Sequence, residues 1–136
     1  MTQLFQWGAK VVFVFHDLDR ANSDELRKTL TEKIGASKTR GRACIIIPIE
    51  EIEAWLLADE DAINKSFSRP FISEIASPER IKSPKEFIER KSKAANGKPR
   101  YVHTVHNHKI AEKLNLDKVY SKCPSFRPFH DVISSL

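Results

Sequence analysis

Two short apolar runs, each followed at once by acidic residues, constrain this chain more than any other feature. Val11-Val12-Phe13-Val14-Phe15 leads into His16-Asp17-Leu18-Asp19-Arg20, and Ala43-Cys44-Ile45-Ile46-Ile47 leads through Pro48-Ile49 into Glu50-Glu51-Ile52-Glu53. Continuous β-branched and aromatic runs read as strands buried on both faces, as in a parallel sheet. Pro48 ends the second run, because proline cannot donate to a sheet ladder. Between the runs, Asn22 caps a helix with Glu25 at its third position. Leu26, Leu30 and Ile34 share one face of that helix, and Gly35 stops it. Residues 36–42 form a small basic loop. If the two strands of this strand–helix–strand unit are parallel, both acidic segments emerge at one sheet edge. Open α/β sheets bind ligands at that edge.

The rest of the chain reads as mainly helical. A helix covers residues 51–58 with Ile52, Trp55 and Leu56 inward. Residues 59–82, interrupted by Pro70 and Pro78, predict loops with a turn or two of helix. Ser83-Pro84-Lys85-Glu86 is a capping box with proline at the first helical position; its helix runs to about residue 95, before Asn96-Gly97. A further helix holds Ile110, Ala111 and Leu114. The last follows Cys123-Pro124-Ser125, with Ser125 as cap and Phe126, Phe129 and Ile133 as its apolar stripe. Trp55, Phe126 and Phe129 sit among aliphatics and read as core rather than as base-stacking platforms.

A chain of 136 residues suits one domain, and 40% hydrophobic residues are enough for a core. No apolar run nears the roughly 18 residues of a bilayer span. No leader pattern opens the chain and there are two cysteines, Cys44 and Cys123, so a reduced, cytoplasmic protein without a membrane is expected. The net charge of +5 is uneven, −3 over residues 1–64 and +8 over residues 65–136. The single domain thus divides into an α/β core with an acidic site (1–64) and a basic, mainly helical part packed on it (65–136). An acidic cluster beside a basic surface suits a phosphate-bearing polyanion, nucleic acid first. Lys85, Arg90, Lys91, Lys93, Lys98 and Arg100 are the candidate nucleic-acid-binding residues. The alternative is a solvated helix face.

In an extended segment Asp17 and Asp19 point the same way. Two carboxylates so placed can hold a hard divalent cation, with waters and phosphate oxygens completing its shell. The alternative is that both cap the turn into the next helix. Glu50 and Glu53, three apart, can share a helical face. Either is a candidate third ligand, or a general base orienting a metal-bound water. The alternative is compensation of the helix dipole, which suits Glu51 best. His103, His106 and His108 have no cysteine nearby and read as phosphate contacts or helix packing before zinc ligands.

The order of buried strand, Asp17-Leu18-Asp19-Arg20, helix, buried strand and Ile52-Glu53-Ala54-Trp55-Leu56-Leu57-Ala58-Asp59 resembles a bacterial family of uncharacterised TOPRIM-like proteins. Members of that family often sit beside AAA-type ATPases in phage-defence loci. Ser83-Pro84-Lys85, Tyr101 and Cys123-Pro124-Ser125-Phe126-Arg127-Pro128-Phe129 carry the likeness onward, over about residues 8–133. The resemblance implies a TOPRIM-like (Rossmann-like) three-layer α/β fold with a small parallel sheet and a helical C-terminal half. It implies Mg²⁺ (or Mn²⁺) bound for phosphodiester chemistry, with Asp17 and Asp19 matching the Asp-x-Asp pair and Glu53 matching the glutamate before Ala-Trp.

The family pattern opens with a glutamate-bearing strand and a helix, whereas only ten residues precede Val11. Leu4, Phe5 and Trp7 read as the tail of that helix and Gly8 as its stop, so the fold is expected to be truncated at the N-terminus. Either the chain is truncated or mis-started, or a second chain supplies the missing pieces, or catalysis has been lost. An open sheet edge invites pairing, so a homodimer is expected. The function expected is a metal-dependent nuclease in phage defence, partnered by an AAA-type ATPase. The alternative is a non-catalytic module that binds protein or nucleic acid.

Overall fold

The computed structural model describes residues 2–18, 21–35 and 42–136. Helix α1 (Thr2–Gln6) precedes strand β1 (Val11–Phe15), helix α2 (Ser23–Gly35) and strand β2 (Arg42–Ile46). Gly8 follows α1 at φ +94°, a left-handed stop that a residue with a Cβ rarely adopts. The two strands pair in parallel, Val11 opposite Arg42 and Phe15 opposite Ile46. Asn22 caps α2 as its sequence predicts, its Oδ1 accepting from the N–H of Asp24 at 2.9 Å and of Glu25 at 3.2 Å. Main-chain pairing continues past the strand ends. The Leu18 N–H donates to the Pro48 carbonyl at 3.1 Å, since proline lacks only the donor. Of the predicted basic loop only Arg42 lies within the described residues, and it opens β2.

Neither strand reaches the two-faced burial that its apolar run predicts. β1 is half-buried up to an exposed Phe15, and α2 buries none of its residues. Among the described residues the sheet has two strands, so each keeps an open edge. One face is covered by aromatic rings: Phe13 and Phe15 meet Phe129 edge-on at 5.1 and 5.2 Å, and Phe15 meets Trp55 at 6.3 Å.

Helices α3 (Glu53–Leu56), α4 (Glu60–Asn64), α5 (Pro84–Lys91), α6 (His103–Ala111), α7 (Leu116–Lys122) and α8 (Arg127–Ser134) complete the described chain, with tight 3₁₀ turns at Pro78–Arg80 and Pro124–Phe126. The result is a mixed α/β fold with a small parallel sheet. Among the described residues no helix is long and apolar enough to cross a membrane.

Two apolar clusters meet at α3. Leu56 and Leu57 enter one with Ile63, Ile72, Ile88, Tyr101 and Ile110; Trp55 and Ala58 enter the other with Ile46, Val119, Cys123 and Phe126. Both clusters join side chains from before and after residue 64. Burial pushes the Cys123 thiol up to about 12, which keeps it protonated core.

Several local expectations are corrected. The helix expected over residues 51–58 is the single turn α3, and Ile52 faces outward at 40% exposure. α5 ends at Lys91 rather than near residue 95. Ser125 does not cap α8; its hydroxyl accepts the Trp55 indole N–H at 2.9 Å and bonds to Glu79. That role ties the α8 turn to the core, a link no local spacing encodes. Ile133 is exposed, so the α8 stripe narrows to Phe126 and Phe129.

Charge also holds the fold. Lys118 Nζ lies 3.0 Å from Asp59, 3.2 Å from Glu60 and 3.1 Å from Asp61, and Lys122 reaches Glu74 at 3.3 Å. Asp59 is 3% exposed and also accepts the Asn115 N–H at 2.8 Å. Burial raises the Asp59 pKa, but the Asn115 amide and the Lys118 ammonium outweigh it and hold the carboxyl below its ordinary value. A pKa depressed by folding stabilises above the unfolded value and is lost as pH falls through the folded one. Asp59→Asn is therefore expected to lower stability at pH 7 by about 1–3 kcal/mol. It should also flatten the loss of stability that wild type shows below about pH 4. Urea denaturation across pH measures both.

Candidate functional site

The parallel pairing brings the two acidic segments to one edge. His16 and Asp17 follow β1 directly. Glu50 and Glu51 follow β2 through a bend in which Glu50 takes φ +62°, a left-handed value that is strained for a non-glycine residue. His16, Asp17, Glu51 and Lys85 line a shared open cavity of about 480 Å³. The His16 Nδ1 donates to the Asp17 carbonyl at 2.8 Å, because a carbonyl can only accept. In the neutral ring that leaves Nε2 as an acceptor.

Glu51 is tied to α5. Its Oε2 accepts the Lys85 backbone N–H at 2.9 Å, and its Oε1 lies 4.0 Å from Lys85 Nζ. This carboxylate caps α5 in place of the predicted box. Ser83 has a left-handed backbone, φ +50°, and makes no side-chain cap, while Glu86 pairs with Lys85 at 3.8 Å. The Glu51 carboxylate oxygen accepts an amide of the first helical turn that no residue of the helix can satisfy. Burial raises the Glu51 pKa; the Lys85 amide partly offsets this, and the charges of Glu53 and Glu86 add to the rise.

Glu53 takes a different position. It is 6% exposed, and its Oε1 accepts from Asn107 Nδ2 at 2.9 Å. Asn107 Oδ1 in turn accepts the Tyr101 hydroxyl at 2.5 Å. Burial, followed by the charges of Glu53, Glu89 and Glu51, raises the Tyr101 pKa, so the phenol stays a proton donor. The cavity wall thus carries Glu51, while Glu53 is buried on a polar chain to α6. Glu50 is half-buried at the bend and is not among the described lining residues. Asp19 lies outside the described residues.

Among the described residues no group of three or more His, Cys, Asp and Glu has the arrangement of a metal centre. The Asp17 and Glu51 carboxylates still suit Mg²⁺, which takes one or two carboxylates and fills its shell with water and phosphate oxygens. His106 packs rather than ligates: its ring stacks on Phe67 at 4.7 Å and its Nδ1 accepts the Val102 N–H at 2.9 Å.

The predicted basic residues separate into groups. Lys85 is on the acidic cavity. Arg90 and Lys91 lie over the Phe87 ring at 5.5 and 5.7 Å. Lys93 and Arg100 line a second cleft, and Lys98 sits in an exposed turn where its N–H donates to Asn96 at 3.0 Å. Asn107 and Arg69 were not legible as site residues. Neither belongs to a motif, and only folding brings them beside Glu53 and Arg100.

The family described as "Domain of unknown function (DUF4276)" matches residues 3–134. The chain belongs to the DUF4276 family. No curated protein and no solved structure matches it. The function of this DUF4276 chain is therefore read from its own geometry.

Glu51→Gln keeps an acceptor for the Lys85 amide and removes a carboxylate whose pKa folding raises. Such a group stabilises only below its unfolded pKa, and the contribution is lost as pH rises through the folded value. Glu51→Gln is expected to match or exceed wild-type stability at pH 7, with the difference vanishing near pH 4. Glu51→Ala uncaps α5 and is expected to cost about 1 kcal/mol. Thermal melts across pH order the three proteins.

Proposed function

We propose that this chain is a TOPRIM-like, Mg²⁺-dependent domain acting on nucleic-acid phosphodiester bonds, with its site in the cavity of His16, Asp17, Glu51 and Lys85. The observation that carries the reading is the convergence of two carboxylates, an imidazole and an ammonium at the carboxyl ends of two parallel strands. Asp17 and Glu51 would hold the cation, with Asp19 two residues on from Asp17 in the sequence. When bound, the cation would polarise a phosphate oxygen and lower the pKa of a water. Lys85 would contact the phosphate. His16, whose Nδ1 is spent on the Asp17 carbonyl and whose Nε2 is the acceptor of the neutral ring, is placed as the general base. Glu53, held by Asn107, is a positioning residue whose charge raises the proton affinity of Glu51. Homodimer formation through the open sheet edge, an AAA-type ATPase partner and a role in phage defence complete the proposal.

One observation favours the second reading, a non-catalytic binding module. Glu51 already has the Lys85 amide as partner, so a purely structural cap accounts for it.

The test is calorimetric titration with Mn²⁺ and Mg²⁺, joined to cleavage assays on plasmid and single-stranded DNA. Wild type is expected to bind the cation and to gain about 2.7 kcal/mol of stability at a hundred times Kd. Asp17→Asn and Glu51→Gln should lose both the binding and the cleavage. Unchanged cation binding in the double variant would overturn the proposal. Binding without cleavage would move the chain to the second reading.

A further inference from the structure

A second cleft, of about 310 Å³, lies at the other end of α5 and is lined by Ser68, Arg69, Lys93, Ala94, Ala95 and Arg100. We propose that Arg69, Lys93 and Arg100, with the Ser68 hydroxyl, bind one backbone phosphate of a nucleic-acid strand. The identity of the ligand rests on the function proposed above; the site itself rests on separate residues.

Charge is the first argument. Lys85, Lys118 and Lys122 are paired with carboxylates. Among the described residues Arg69, Lys93 and Arg100 form no ion pair, and no carboxylate lines the cleft. Three cations around one cleft repel one another unless an anion enters.

Preorganisation is the second. Arg100 Nε donates to the Ser92 carbonyl at 2.9 Å and Nη1 to the Arg69 carbonyl at 3.4 Å, with the guanidinium 5.1 Å over the Phe71 ring. These two bonds leave the rest of its five N–H donors unspent, in a fork whose geometry matches phosphate. A tight hairpin sets Lys93 near Arg100: Lys93 bridges to Pro99, and Ala94 N–H donates to the Lys98 carbonyl at 2.9 Å. Gly97 takes φ +76° at its tip. The fully buried Ser92 anchors the base, its Oγ accepting from the N–H of Arg100 at 3.1 Å and of Tyr101 at 2.9 Å. The hairpin backbone and the Arg100 guanidinium are thus held before a ligand arrives, which lowers the entropic cost of binding.

Position is the third. α5 runs from Lys85 at the acidic cavity towards Lys93 at the cleft. Eight helical residues span about 12 Å, roughly the axial rise of three to four nucleotides on one strand.

The test is fluorescence-polarisation binding of labelled twelve-nucleotide single-stranded DNA and RNA across a salt series, in EDTA, with inorganic phosphate as competitor. Arg69→Gln and Lys93→Gln should each weaken binding about tenfold and reduce the salt slope by about 1. The double variant should reduce the slope by little more than either alone, because both act on one phosphate. Lys33→Gln, on the distant α2, should change little. Melting temperatures should stay unchanged, since neither the Arg69 nor the Lys93 side chain carries a fold contact of the kind Arg100 makes. Binding measured in EDTA, where no cation is held at the acidic cavity, separates this site from the acidic one. Unchanged affinity in the double variant, or slope losses that add as independent surface charges would, overturns the proposal whatever the cleavage assay shows. Preference for DNA or for RNA identifies which strand it takes.

Discussion

The complete burial of a one-turn helix organises this molecule. All four residues of α3 are buried, one of them a glutamate. A buried carboxylate without partners is costly enough to unfold a marginal protein, so Glu53 demands Asn107 and, through it, Tyr101. The Trp55 indole makes the same demand of Ser125. Each demand draws a distant segment onto α3, and the two apolar clusters close around it.

That constraint sorts the acidic residues between structure and site. Asp59, Glu60 and Asp61 are taken up by Lys118 and Lys122, which pins α4 to α7. Glu53 is taken up by α6. Glu51 remains on a cavity wall, held at the α5 N-terminus and destabilised as an anion by burial. A carboxylate that folding makes harder to ionise is a common property of sites that bind cations or move protons.

The same chain of contacts reaches the basic half. Arg100 precedes Tyr101, and both backbone amides rest on the buried Ser92. The cleft and the acidic cavity are therefore anchored to one rigid frame, with α5 between them. Support of this kind keeps two charged groups of opposite sign at a fixed distance.

The strands, their parallel pairing, the Asn22 cap, the Gly8 stop and the aromatic core of Trp55, Phe126 and Phe129 were all legible in the sequence. Each follows from local chemistry: β-branched runs, a side chain that bonds two residues onward, a residue without a Cβ, rings among aliphatics. The meeting of His16-Asp17 with the glutamates after β2 was legible for the same reason. Which glutamate faces the cavity was not. Glu51 precedes α3 and Glu53 opens it, and Glu53 is held by Asn107, 54 residues away. The α5 cap, the true partners of Ser125 and the joining of Arg69 to Lys93 and Arg100 were equally closed to local reading. Hydrogen bonds and charge pairs between remote segments exist only once the chain has closed on itself, and it is these that tertiary structure decided.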